Sequence, residues 1–215
     1  MIPNWAGERQ RMVEIQLRRR GLHDARVLEA MGAIPREEFV PLEWRVAAYG
    51  DSPVTIGYGQ TISQPYMTAL MAEALELDGT QTVLEVGAGC GYAAAVLGAI
   101  AKRVVSLEII PELAELARRN LRRAGRDGNI EVITADGSMG YLPLAPYDAI
   151  SVPAGAPDVP AALLDQLRDP GRLVIPIGEM EDQELRVVCR QGGRIDYHVA
   201  TLCRFVPLRG GEGWA

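Results

Sequence analysis

The chain has 215 residues, of which 48% are hydrophobic and 23% charged, and these ordinary values exclude an intrinsically disordered protein. Its formal net charge of −6 argues against a general nucleic-acid-binding protein, because contacts to phosphate favour a basic surface. No apolar run approaches the roughly 20 residues that a membrane-spanning helix needs. The N-terminal residues lack the basic start and apolar stretch of a signal peptide. We therefore expect a soluble, cytoplasmic protein without membrane or nucleic-acid partners, and we take it to be a monomer.

The N-terminal third of the chain is predicted to be helical. A first helix is expected from about residue 6 to residue 20, with Gly21 as its stop, and Asp24 is expected to cap a second helix. Residues 51–65 contain two prolines, two glycines and several small polar residues, which predict a loop. Apolar residues at helical spacing then predict a third helix, namely Met67, Leu70, Met71, Ala74 and Leu75.

From residue 82 onward, short apolar strands alternate with helices. Strands are predicted at residues 82–86, 104–108, 130–134, 147–152 and 172–177, and helices at 92–101, from 111 and at 158–167. Such alternation produces a mostly parallel sheet covered by helices. Two further strands, 185–190 and 197–206, are expected to form an antiparallel hairpin around Gly192-Gly193.

These elements predict an α/β, Rossmann-like fold with a mostly parallel sheet, an antiparallel C-terminal hairpin and N-terminal helices. We expect one domain over residues 1–215. Within it, residues 1–80 form a helical and substrate-loop part, and residues 81–215 form the cofactor-binding sheet.

A glycine-rich loop follows the first of these strands. Val86 leads directly into Gly87-Ala88-Gly89-Cys90-Gly91, which opens a helix. Glycines there permit a sharp turn and a close approach of a ligand to the main chain. The third glycine comes one residue earlier than in the dinucleotide fingerprint. This tighter turn favours a ligand without a pyrophosphate, such as S-adenosylmethionine.

One acidic residue ends the second of these strands, and another follows the third. Glu108 could accept hydrogen bonds from both ribose hydroxyls, as an acid does at this place in nucleotide-binding folds. Asp136, followed by Gly137, could accept a hydrogen bond from an adenine amino group. Because the carboxyl ends of parallel strands meet at one edge of a sheet, the loop and both acids together predict a site for an adenosine-type cofactor.

Metal binding is not predicted. The three cysteines, Cys90, Cys189 and Cys203, match no metal-ligand spacing and are expected to be reduced thiols. The two histidines, His23 and His198, lie outside every candidate motif. Their absence from those motifs is compatible with an acceptor that needs no general base, such as a carboxylate, which is already ionised at neutral pH.

From about Leu22 to Leu208, the chain resembles the protein-L-isoaspartate (D-aspartate) O-methyltransferase family. The most specific matching segment is Ile56-Gly57-Tyr58-Gly59-Gln60-Thr61-Ile62-Ser63-Gln64-Pro65. Other matching stretches are residues 83–92, 136–141, 145–150, 163–167, 171–178 and 204–208. The resemblance implies methyl transfer from S-adenosyl-L-methionine to the free carboxylate of isoaspartyl or D-aspartyl residues. The resulting ester closes to a succinimide, which hydrolyses partly to normal aspartate.

The resemblance also implies roles for particular residues. Ser63 would be the active-site serine beside the transferring methyl group, and Gln60 and Val206 would contact the substrate peptide. Thr61 and Ile62 would close over the cofactor. The remaining predicted cofactor-binding residues are Glu85, Gly87, Gly89, Glu108, Ile109, Asp136 and Gly137.

Two departures from the family pattern keep other functions open. Pro153 stands where the family commonly has a small residue, and Arg209 stands where it often has threonine. One alternative is a carboxylate methyltransferase that acts on a dedicated precursor peptide, and another is a cofactor-binding module without catalysis. A nucleic-acid methyltransferase is disfavoured, since residues 151–154 carry no Asn-Pro-Pro-Tyr-like run.

Overall fold

The computed structural model describes residues 4–214. Outside the described residues lie Met1–Pro3 and Ala215. The first of these segments begins the N-terminal stretch in which no signal peptide is predicted. The helices are α1 (Trp5–Arg11), α2 (Ala25–Ala33), α3 (Pro65–Ala74), α4 (Tyr92–Ile100), α5 (Pro111–Arg123) and α6 (Ala161–Asp165). The strands are β1 (Val54–Gly57), β2 (Gln60–Ile62), β3 (Thr82–Val86), β4 (Arg103–Glu108), β5 (Ile130–Thr134), β6 (Tyr147–Ser151), β7 (Leu167–Gly178), β8 (Gln183–Gln191) and β9 (Arg194–Cys203). Within residues 4–214, the helices are too short or too polar to cross a membrane.

Strands β3 to β9 form one sheet in the spatial order β5-β4-β3-β6-β7-β8-β9. The strands from β5 to β7 in this order pair in parallel, whereas β8 and β9 add an antiparallel edge. The predicted Rossmann-like fold is therefore confirmed. The chain runs from β3 outward to β5 and then returns to the other side of β3, so the strand order reverses there. Ligands of open parallel sheets bind beyond the carboxyl ends of the strands at such a point.

The central strands are buried on both faces. Val83 and Leu84 in β3, Val104 and Val105 in β4 and Ile150 in β6 are each 0% exposed. Strands covered on both faces need continuous apolar runs, and this explains why their positions could be predicted from the sequence.

The N-terminal helices pack against the sheet through α4. Helix α1 continues through a π-helical turn, Met12–Leu17, and a 3-10 turn, Arg18–Arg20, and it stops at Gly21, whose φ of 94° is left-handed. The Asp24 carboxylate caps α2 by accepting hydrogen bonds from the backbone N–H groups of Arg26 and Val27. Both predicted helix boundaries are therefore confirmed.

The loop predicted for residues 51–65 is wrong in part, because β1 and β2 pair there as an antiparallel hairpin. Val54, Ile56 and Ile62 are buried, so the hairpin has an apolar face that alternates with exposed residues. Tyr58 and Gly59 form its turn with positive φ angles of 55° and 72°. The glycines of this segment obscured a short strand pattern, since two-residue hairpin turns themselves favour glycine.

Element lengths near the C-terminus also differ from the prediction. Helix α6 is shorter than predicted and begins after Pro160, while β7 starts five residues earlier than predicted, at Leu167 rather than residue 172. Strand β9 ends at Cys203, so Val206 lies beyond the sheet. There the Val206 carbonyl accepts a hydrogen bond from the backbone N–H of Gly155, and this bond draws the chain across the end of β6.

Candidate active site

A cleft lies at the carboxyl ends of β3, β4 and β6. One wall consists of the glycine loop and the residues that follow β4. A second part of the lining consists of β2 and the segment between β2 and α3, and a third part consists of residues 206–209. The predicted site residues that line the cleft are Gln60, Thr61, Ile62, Ser63, Gly87, Gly89, Glu108, Ile109, Gly137 and Val206.

The glycine loop presents bare backbone to the cleft. The N–H groups of Gly87 and Ala88 donate to the carbonyl of Leu107 at 2.8 and 2.9 Å, which ties the loop to β4. Gly87 has a φ of 103°, and a Cβ added there would meet no atom within 4 Å. A ligand can therefore approach the main chain closely at this point.

Gly91, at the end of the loop, has a different structural role. Its φ is 88°, and an added Cβ would lie 3.2 Å from the backbone oxygen of Ala117 in α5. This glycine therefore lets α4 begin close against α5, which fixes the direction of the loop.

Glu108 is buried at the end of β4 and faces the loop. Its Oε2 accepts from the backbone N–H of Gly89 at 2.8 Å, and its Oε1 accepts from that of Ile110 at 3.0 Å. Each carboxylate oxygen has further acceptor capacity. The carboxylate can therefore accept two hydroxyl groups of a ribose while it holds the loop, so this wall fits the nucleoside part of an adenosine-type cofactor.

Asp136 and Glu85 do not line the cleft. Oδ1 of Asp136 accepts from the backbone N–H and hydroxyl of Ser138 at 2.9 and 2.7 Å, and Oδ2 accepts from the N–H of Gly211 at 2.8 Å. The carboxylate thus anchors the C-terminal segment. The adenine contact predicted for Asp136 stays a prediction, and the adjacent Gly137 supplies the cleft surface.

Glu85 lies within the sheet, 0% exposed. The Ser106 hydroxyl donates to its Oε2, while its Oε1 has no hydrogen-bond partner among residues 4–214. Burial raises the pKa of Glu85 to about 8; the Ser106 hydrogen bond opposes this rise, and the charge of Glu108 adds to it. A carboxyl group with this pKa is mostly protonated at neutral pH.

Replacing Glu85 with glutamine is expected to remove a pH dependence of stability. The folded protein keeps the Glu85 proton up to about pH 8, whereas the unfolded chain releases it near the ordinary value of 4.5. Wild-type stability is therefore lost as pH rises between these values, by at most about 1.4 kcal/mol per pH unit from this group. Urea unfolding at several pH values should show Glu85→Gln gaining on the wild type as pH rises. A constant difference between the two would contradict the assignment.

Ser63 lies between β2 and α3, where Pro65 begins the helix. Its carbonyl accepts a hydrogen bond of 2.7 Å from Nη2 of Arg36, and the Arg36 Nε donates to the carbonyl of Ala48, also at 2.7 Å. Sequence reasoning missed Arg36, because Arg36-Glu37-Glu38 resembles an ordinary charged surface turn. The structure instead places the arginine directly behind the segment that carries the predicted active-site serine.

The two residues that depart from the family pattern both line the cleft. Pro153 follows β6, and Arg209 follows Leu208, whose N–H donates to the Gly155 carbonyl at 2.7 Å. Both residues are therefore placed where they could affect which substrate enters.

The parallel sheet with its reversed strand order, the glycine loop and the acid at the end of β4 together define the fold of the S-adenosylmethionine-dependent methyltransferases. A family model described as protein-L-isoaspartate (D-aspartate) O-methyltransferase matches residues 8–213. The chain belongs to this family, and the resemblance inferred from the sequence is confirmed.

Individual relatives agree over nearly the whole chain. A protein-L-isoaspartate O-methyltransferase of Methanoculleus marisnigri is 51% identical over 96% of this chain and 94% of its own length. The enzyme of the same name from Koribacter versatilis is 50% identical over 100% and 96%, respectively. A Plasmodium falciparum structure, described as a protein-L-isoaspartate O-methyltransferase in complex with S-adenosyl-L-homocysteine, has a TM-score of 0.79 and 27% identity over 94% of this chain and 98% of that chain.

Proposed function

We propose that this protein transfers a methyl group from S-adenosyl-L-methionine to the free carboxylate of L-isoaspartyl and D-aspartyl residues in damaged proteins and peptides. This step begins repair through a succinimide and leaves S-adenosyl-L-homocysteine. The observation that carries the proposal is that one cleft joins the Gln60–Ser63 segment to the glycine loop and Glu108. Membership of the family supports it.

The cofactor wall is assigned from the residues that line the cleft. S-adenosyl-L-methionine supplies a methyl group activated by its sulfonium charge. Backbone groups at Gly87 and Gly89, the Glu108 carboxylate, Ile109 and Gly137 would hold its nucleoside part. Thr61 and Ile62 would cover it, while Glu85 and Asp136 would support the cofactor wall from behind.

The acceptor side needs orientation more than proton transfer. A carboxylate is already ionised at neutral pH, so no general base is required. Ser63 would donate a hydrogen bond that fixes the carboxylate relative to the methyl group, which is a proximity contribution. Gln60 and Val206 would contact the peptide on either side. Excluding water from the cleft would replace ion hydration by fixed protein dipoles.

Transfer of a radiolabelled methyl group to an isoaspartyl peptide, beside its normal aspartyl twin, tests the proposal. Labelling of the first peptide alone is expected. An enzyme for a dedicated precursor peptide would label neither generic peptide, and a module without catalysis would bind S-adenosyl-L-homocysteine but transfer nothing. Either result would contradict the repair function.

We also propose that the chain acts as one domain, in which residues 1–80 contribute the substrate segment and residues 81–215 the cofactor sheet. One buried apolar cluster extends from Met12 to Val187 and so joins residues of both parts, which supports this organisation. We propose further that the protein is a cytoplasmic monomer without a nucleic-acid partner, and its acidic net charge of −6 favours the last point. Analytical ultracentrifugation would test the monomer.

A further inference from the structure

Arg36 carries a buried charge that hydrogen bonds only partly satisfy. The residue is 0% exposed. Its Nε and Nη2 donate to the carbonyls of Ala48 and Ser63, but its Nη1 is buried and has no hydrogen-bond partner among residues 4–214. Burying a charge without a counter-ion costs several kcal/mol, on the order of the whole stability margin of a domain. A retained charge of this kind therefore needs an explanation.

No carboxylate in residues 4–214 forms a salt bridge with Arg36. The two acids that follow it in the sequence are engaged elsewhere. Glu37 pairs with Arg9 at 3.1 Å, and Glu38 pairs with Arg123 at 2.9 Å. The guanidinium group thus remains without a counter-ion from this part of the chain.

Three titratable groups that act on the pKa of Arg36 are neutral at physiological pH. The Tyr92 ring lies 4.8 Å from the guanidinium carbon, and burial raises the pKa of Tyr92 to about 12. Burial also raises the pKa of Cys90 to about 11 and that of Tyr49 above its ordinary value. Although burial lowers the pKa of Arg36 itself, an arginine remains charged in proteins.

This charge lies immediately behind the cleft. The cleft is lined by Ser63, Cys90 and Tyr92. Arg36 donates a hydrogen bond to the Ser63 carbonyl, and its guanidinium group lies over the Tyr92 ring. The uncompensated charge of Arg36 therefore lies beside the Ser63 segment, which in the proposed function binds an anionic acceptor.

We propose that Arg36 is a positioning residue that makes the cleft select an anionic acceptor. Its hydrogen bond fixes the Ser63 segment, and its charge favours a bound carboxylate over a neutral group of the same shape. The bound carboxylate in turn supplies the counter-charge that the described protein groups lack. This inference rests on the proposed function, and it adds that the acceptor bound at the same site is selected for its negative charge.

A carboxylate could come from the acceptor peptide or from the methionine part of the cofactor. Arg36 donates a hydrogen bond to Ser63, the residue that the proposed function assigns to the acceptor. This favours the acceptor, although Tyr92 and Cys90 beside the same guanidinium group lie at the glycine loop. Measuring the affinity for S-adenosyl-L-homocysteine alone separates the two sources.

Calorimetry in the presence of saturating S-adenosyl-L-homocysteine tests the inference. The ligands are an isoaspartyl peptide and a twin with a neutral carboxamide in place of the acceptor carboxylate. The wild type is expected to prefer the carboxylate by about tenfold or more, as for opposite charges several ångströms apart in a protein. Arg36→Gln, which keeps donor groups but no charge, should lose most of this preference. Arg36→Lys, which keeps the charge, should retain more of it than Arg36→Gln does.

Arg190 offers a matched control. Its Nη1 donates to the carbonyls of Leu164 and Leu167 at 3.0 and 3.1 Å, and its Nε is buried and lacks a partner among residues 4–214, yet it lies outside the cleft lining. Arg190→Gln therefore makes the same chemical change elsewhere. The carboxylate preference of this variant should equal that of the wild type. A general loss of packing would instead lower the preference in both arginine variants.

Two results would overturn the inference. A folded Arg36→Gln could keep the carboxylate preference, whether or not its affinity for S-adenosyl-L-homocysteine falls. The wild type itself could bind both peptides equally, and this result overturns the inference even if Arg36→Gln does not fold. Methylation of the same isoaspartyl peptide by the wild type is measured in parallel, so failure of the proposed function is seen separately.

Discussion

Replacing Glu108 with alanine is expected to weaken the binding of S-adenosyl-L-homocysteine by about 100-fold, since each hydrogen bond to a buried charged group contributes about 1.5–3 kcal/mol. The Glu108 carboxylate accepts from the backbone N–H groups of Gly89 and Ile110, so the variant loses the group that holds the glycine loop. It also loses the proposed acceptor of the ribose hydroxyls. Isothermal titration calorimetry measures the effect directly.

Glu131→Ala is the control for this variant. Glu131 lies on the neighbouring strand β5, forms an exposed ion pair with Arg103 and does not line the cleft. The Glu131→Ala substitution also removes one negative charge, and its affinity for S-adenosyl-L-homocysteine is expected to stay close to that of the wild type. Equal effects of the two substitutions would show that net charge, and not the position of Glu108, governs binding.

Replacing Ser63 with alanine is expected to lower kcat on an isoaspartyl peptide by about 10- to 100-fold through loss of orientation of the acceptor. The affinity for S-adenosyl-L-homocysteine should remain nearly unchanged, because the proposed nucleoside contacts come from the glycine loop and Glu108 and not from the Ser63 side chain. Steady-state kinetics together with calorimetry separate the two effects.

Ser52→Ala makes the same substitution in the exposed segment before β1, outside the cleft lining, and should leave both quantities unchanged. Turnover of Ser63→Ala equal to that of the wild type would remove Ser63 from the active site. Loss of cofactor affinity in step with turnover would instead indicate that the segment as a whole had moved.

Local sequence patterns were sufficient for most of the sheet and for the cleft. The predicted bounds of β3 and β5 agree with the structure, since continuous apolar runs flanked by turns have few alternatives. Most of the predicted site residues line one cleft. Those of the glycine loop and those at or after the ends of β4 and β5 do so because the carboxyl ends of neighbouring parallel strands meet at one edge of the sheet. Gln60–Ser63 and Val206 lie outside the parallel strands, and only the resemblance to the family indicated them. The β1–β2 hairpin was missed, since its turn residues outweighed three buried apolar positions in so short a segment.

The sequence by itself determined the fold class and the family and predicted the nucleoside wall, because these depend on neighbouring residues and on a distinctive run around Ser63. Only the tertiary structure decided what three other charged residues do. Asp136 holds Gly211, 75 residues away, Glu85 is buried with a raised pKa, and Arg36 bonds to Ser63, 27 residues away. The effect of a charge depends on burial and on partners brought together by folding, and neither is encoded in the residues beside it.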